Sequence, residues 1–90
     1  MNVSQNELSR EAQIIDELVR VVTGAIVDVP EAIDTVIVES GTTIVIELTV
    51  AREDIGKVIG RQGVMARSLR TIISNAATKY QRRSVLQIIE

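Results

Sequence analysis

The sequence predicts an α+β domain in which the helices pack on one side of a three-stranded sheet. Three observations predict it. Two runs of β-branched residues flank Ser40-Gly41-Thr42, segments with apolar residues at helical spacing stand before and after that pair, and a short aliphatic run closes the chain. The expected order is helix, strand, strand, helix, helix, strand.

Ser4 and Glu7 have the spacing of a capping box, and Leu8, Ile15, Leu18, Val19, Val22 and Ile26 recur on one helical face, so a long first helix is expected to follow. Gly24 weakens it, but the apolar period runs on through Ile26. Pro30, which drives Val29 out of the helical region, is the firmer stop. Thr35–Glu39 and Thr43–Val50 read as the strands of a hairpin turned at Ser40-Gly41-Thr42. In the second strand Ile44, Ile46, Leu48 and Val50 point one way and Thr43, Glu47 and Thr49 the other, with Val45 the only break. Arg52–Ile59 reads as a short helix with Ile55, Val58 and Ile59 on one face, ended by Gly60. A further helix begins near Gly63. Its stripe of Met65, Leu69, Ile72, Ile73, Ala76 and Tyr80 runs for about four turns, with Arg67, Arg70 and Ser74 on the flank. Ser84–Ile89 is the last strand.

With 90 residues, 46% of them hydrophobic, the chain can build one core and no second. It has no cysteine and no histidine, so neither serine nor cysteine hydrolase triads, a histidine general base nor a typical transition-metal site can be assembled. An enzyme is not expected, and with it no catalytic residue, metal, cofactor or small-molecule substrate. The opening MNVSQNELSREAQ lacks an apolar core of signal-peptide length, and no apolar run approaches the ~18 residues of a membrane span, so the expected location is the cytoplasm. The net charge of −2 hides a division. Residues 1–54 hold eleven acids and three bases, a balance of −8, whereas residues 55–90 hold seven bases and one acid, a balance of +6. Taken alone, that imbalance fits a solvated face as well as a polyanion site.

The informative segment is Val58-Ile59-Gly60-Arg61-Gln62-Gly63, which lies between two amphipathic helices and inside the basic part of the chain. Glycines there let the chain turn sharply and let a sugar-phosphate backbone approach the exposed amides, including those at the start of the next helix, where the dipole favours anions. Lys57 and Arg61 stand within one turn. As a bare pattern, two glycines three apart also describe a plain helix corner. Their position after an aliphatic pair, at the opening of a helix, in this element order, favours the binding role.

These residues resemble a KH domain, whose GXXG loop clamps about four nucleotides of a single strand. The match is Gly60-Arg61-Gln62-Gly63, and the element order is similar to the type II KH fold over residues 12–90, leaving residues 1–11 as an N-terminal extension, either disordered or the start of the first helix. More narrowly, Ile55-Gly56-Lys57-Val58-Ile59-Gly60-Arg61-Gln62-Gly63 with Ala66-Arg67, Leu69-Arg70-Thr71 and the terminal Val-Leu-Gln-Ile-Ile-Glu resembles the single-domain bacterial KhpA family. That resemblance implies a single-stranded RNA-binding protein, an RNA chaperone of post-transcriptional regulation. It also implies a homodimer or a heteromer with the larger KH-containing protein KhpB, and an influence on cell-wall homeostasis and cell shape. Carried onto this chain, the RNA-binding residues are Lys57, Ile59, Gly60, Arg61, Gln62, Gly63, Val64, Arg67 and Arg70. Val64 and Met65 replace the polar residues expected after the loop, and a helical wheel puts Val64 on the polar side.

Tyr80 is the only aromatic residue, so a platform that stacks bases on rings is unavailable. An aliphatic floor built from Ile55, Val58, Ile59, Ile46 and Leu48 is the alternative, although Ile46 and Leu48 read more readily as core. Lys57, Arg61, Arg67 and Arg70 are the expected phosphate contacts, and Lys79, Arg82 and Arg83 serve equally as solvated charge. A KH-like assembly module in which GXXG is only a helix corner is the competing reading.

Overall fold

The computed structural model describes residues 7–90, and its elements follow the expected order: α1 (Arg10–Ile26), β1 (Asp34–Ser40), β2 (Thr43–Thr49), α2 (Ile55–Ile59), α3 (Val64–Lys79) and β3 (Arg83–Ile88). β2 is the central strand. It pairs antiparallel with β1 across the Gly41-Thr42 turn and parallel with β3. A parallel neighbour cannot be reached by a tight turn, and α2 and α3 form the crossover that brings the chain back alongside.

Alternation along the strands sets the core. Ile44, Ile46 and Leu48 of β2 are completely buried, flanked in the same row by Ile37 of β1 and Leu86 of β3. Ile15 and Val19 of α1 and Leu69 and Ile73 of α3 cover that face. The opposite face carries Val36, Val38, Val45, Glu47 and Val85, which are half-buried or exposed.

Three local expectations are corrected. Ser4 lies outside the described residues, and α1 starts not from a Ser4–Glu7 box but at Ser9, whose hydroxyl accepts from the Ala12 amide at 3.1 Å. The cap is selected by a tertiary partner: the Ser9 amide and hydroxyl both donate to the Glu39 carboxylate, at 2.8 and 2.6 Å. Leu8 still joins the core, from a bend ahead of the helix. Next, Arg52–Ile59 is not one helix. Arg52–Asp54 form a 3-10 turn and α2 proper begins at Ile55, because the Asp54 side chain is buried and engaged elsewhere. Finally, the buried stripe of α3 is Ala66, Leu69, Ile73 and Ala77, and Ile72 is 45% exposed. Alanines at 66 and 77 permit close packing against α2, α1 and the sheet, which turns Ile72 away from the core.

Candidate nucleic-acid interface

The loop between α2 and α3 is held in a backbone conformation that few residues tolerate. Gly60 has φ 79° and ψ 171°, Gln62 φ 55° and Gly63 φ 76°. Gly60 ends α2 by donating its amide to the Gly56 carbonyl at 2.8 Å, and the Gly63 amide closes the turn on the Gly60 carbonyl at 3.1 Å. Sequence reasoning anticipated the two glycines but not Gln62, a non-glycine residue in the left-handed region. The carbonyl of Gln62 accepts from Arg67 Nη1 at 2.9 Å, so the first turn of α3 braces the loop tip. Arg61 and Gln62 are exposed at that tip, Val64 is 52% exposed, and Ile59 is half-buried just before the glycines.

The expected cations divide into two groups. Arg61 makes no ion pair or side-chain hydrogen bond among the described residues, while Arg67 and Arg70 each commit part of the guanidinium to a carbonyl: Arg67 to Gln62, Arg70 Nε to Leu86 on β3 at 3.1 Å. Their remaining N–H groups stay available on the exposed side. Arg67, Arg70 and Ser74 share one flank of α3, leading away from the loop. Lys57 is different. Its ammonium meets Asp28 Oδ2 at 2.9 Å, and that hydrogen bond holds its pKa above the usual lysine value. Arg82 is not solvated charge either: 84% of its side chain is covered, and it donates to Glu39 at 2.7 Å and to the Thr42 carbonyl at 3.1 Å.

Among the proposed floor residues, Ile46, Leu48 and Val58 are wholly buried and belong to the core; Ile55 and Ile59 are half-buried. The structure offers another floor. A cavity of about 280 Å³ opens between α3 and edge strand β3, lined by Arg70, Ser74, Ser84, Val85 and Leu86. Ser84, Val85 and Leu86 went unrecognised because only strand order places β3 at the sheet edge beside α3. The single sequence signal was the position of Ser74 on the same flank as Arg67 and Arg70.

A βααβ crossover in an α+β domain, with a left-handed GXXG turn between its helices and cations along the flank leading to an edge strand, defines a KH-type domain. The chain belongs to the KhpA/KhpB KH-domain family, a non-enzymatic family that it matches over residues 16–88. It is 44% identical over 73 residues to the RNA-binding protein KhpA of Caldanaerobacter subterraneus, and 41% identical to that of Clostridium acetobutylicum, each match covering 81% of this chain and 97% of the relative. It is 38% identical over 76 residues to the RNA-binding protein KhpA of Aquifex aeolicus, covering 84% of this chain and 96% of the relative. No solved structure matches the chain at a significant level.

Proposed function

We propose that the protein is a cytoplasmic single-stranded RNA-binding protein. The observation that carries this is the loop itself: Gly60, Gln62 and Gly63 at positive φ keep Arg61 and Gln62 exposed at the tip, in a chain whose relatives are named for RNA binding. Gly60, Gly63 and the tip residues bring the backbone of the strand close. Arg61, Arg67 and Arg70 contact successive phosphates, with Lys57 a fourth cation nearby. Ile59 borders the first bases, and the α3–β3 cavity receives a base farther along. In this reading the protein acts as an RNA chaperone in post-transcriptional regulation, alone or with a KhpB-type partner, and through its RNAs influences cell-wall homeostasis and cell shape.

A homodimer fits the outer side of α3. Val64 and Ile72, 52% and 45% exposed, lie there with Ser68, Thr71 and Asn75, an uncharged stripe that a second copy can approach without like-charge repulsion.

The test replaces Arg61 and Gln62 with Asp. Both glycines remain, and exposed loop substitutions cost stability within about 0.5 kcal/mol each. Like charges at ~4 Å cost on the order of 1 to 4 kcal/mol, so binding to short single-stranded RNA, with a wild-type log-log salt slope of roughly −2, is lost while the melting temperature is kept. Wild-type RNA affinity in the double variant would instead identify GXXG as a helix corner in an assembly module.

A further inference from the structure

Lys57 stands one turn before Gly60, yet its ammonium is already engaged by a carboxylate from another part of the chain. Both partners are in water: the Lys57 side chain is 47% exposed and that of Asp28 71%. The carboxylate is nonetheless delivered by a fixed backbone. Asp54, completely buried at the entrance to α2, accepts the amides of Asp28 at 3.1 Å and Val29 at 3.0 Å, and Pro30 restricts the chain directly after them. The end of α1 is thereby tied to the start of α2, the helix that carries the loop. Asp28 is short, so a fixed backbone leaves its carboxylate few positions away from Lys57.

We propose that Asp28 is a built-in competitor of the RNA backbone for Lys57, which weakens the loop's hold on RNA and speeds exchange; the proposal rests on the reading of the loop as a phosphate clamp. An exposed ion pair is weak enough for a phosphodiester to displace. The displaced carboxylate then lies close to the phosphate that replaced it and repels it. Because the Lys57–Asp28 pair carries no net charge, Lys57 adds little to the salt dependence of binding while Asp28 is present.

The test is a four-protein cycle, wild type, D28N, K57Q and D28N/K57Q, titrated with a short single-stranded RNA over a salt series. Asn at 28 keeps the backbone amide that Asp54 accepts, and a thermal melt of each protein checks the fold. D28N is expected to bind about two- to five-fold tighter, the factor that corresponds to a surface ion pair, with a log-log salt slope more negative by about 0.7. In the K57Q background both changes disappear. Equal affinity and slope in D28N and wild type overturn the proposal, and so does an undiminished gain in D28N/K57Q, which would be a bulk charge effect. A wild type without salt-dependent RNA binding removes the clamp reading itself, and with it the competitor, so the two failures are separable.

Discussion

Gly60 and Gly63 are two residues of one motif with different tolerances. A Cβ on Gly60 would stand 2.6 Å from Met65 Cβ and 2.7 Å from the Met65 amide nitrogen, atoms that cannot yield unless α3 moves. A Cβ on Gly63 would meet only the Arg67 guanidinium, at 3.3 Å, the far end of a flexible side chain. Both sit at positive φ, which costs a non-glycine residue about 1–2 kcal/mol. Gly60→Ala is therefore expected to lose more than about 2 kcal/mol by chemical denaturation, and Gly63→Ala about 1–2 kcal/mol. The reverse ranking would mean that Met65 does not brace the loop. Thr23 makes the opposite case. It is completely buried in α1, and its hydroxyl finds no partner among the described residues. An unpaired buried hydroxyl costs more than the methyl that would replace it, so Thr23→Val is expected to raise stability by about 1 kcal/mol, a rise of roughly 4–8 °C in Tm.

At the scale of elements, β1 is clipped to α1 near both of its own ends. The inward-facing side of β1 is apolar only at Ile37; Glu39 and Thr35 on either side of it are polar. Glu39 receives Ser9 at the head of α1 and Arg82 from the α3–β3 turn, whereas Thr35 donates to the buried carboxylate of Asp16 at 2.6 Å and accepts from Arg20 at 2.8 Å. An inward charge on an edge strand also discourages pairing with a foreign strand. Burial opposes the charge on Glu39, but the hydrogen bonds from Ser9 and Arg82 outweigh it and hold the carboxyl below its usual pKa. A carboxyl depressed in the folded state contributes stability that is full above its unfolded pKa and lost as pH falls through the folded one. Glu39→Gln is expected to cost about 1–3 kcal/mol near neutrality by leaving Arg82 underpaired. The gap to wild type should narrow as pH drops below about 4, and a gap independent of pH would show that Glu39 acts by shape alone.

Across the whole molecule, the acidic and basic parts of the sequence are joined by ion pairs. Lys57 binds Asp28, and Arg82 binds Glu39 with Glu11 at 3.8 Å, so two of the seven C-terminal cations serve the fold's internal attraction. On the proposed RNA-binding reading, the cations left along the α3 flank would contact only a few phosphates, and one such site would bind RNA weakly. Two linked sites on a dimer would recover affinity through effective concentration. If the uncharged stripe on α3 is the surface for that pairing, V64K/I72K is expected to sediment as a monomer at concentrations where wild type is a dimer, and to melt cooperatively at a temperature that no longer depends on protein concentration. A wild type that is monomeric at every accessible concentration would leave only the heteromeric form.

Local periodicity and turn chemistry were enough to determine the element order, the faces of β2, a stop of α1 ahead of Pro30 and the GXXG turn, because each depends on neighbours within a few residues. What the tertiary structure decided lies between distant segments. Ser9 became the cap of α1 because Glu39 stands opposite it, and Arg82 left the solvent for the same carboxylate. Asp54 reads locally as one more acid before a helix, yet it is buried because the end of α1 needs two acceptors there. Ile72 and Ala77 exchanged places on the α3 stripe once the neighbouring helix set which side could approach closely. Lys57 met Asp28 rather than open solvent, and Ser84, Val85 and Leu86 became a groove wall only when β3 paired at the sheet edge. A charge or a hydroxyl takes its role from the partner that folding brings to it, and sequence spacing carries no record of a partner tens of residues away.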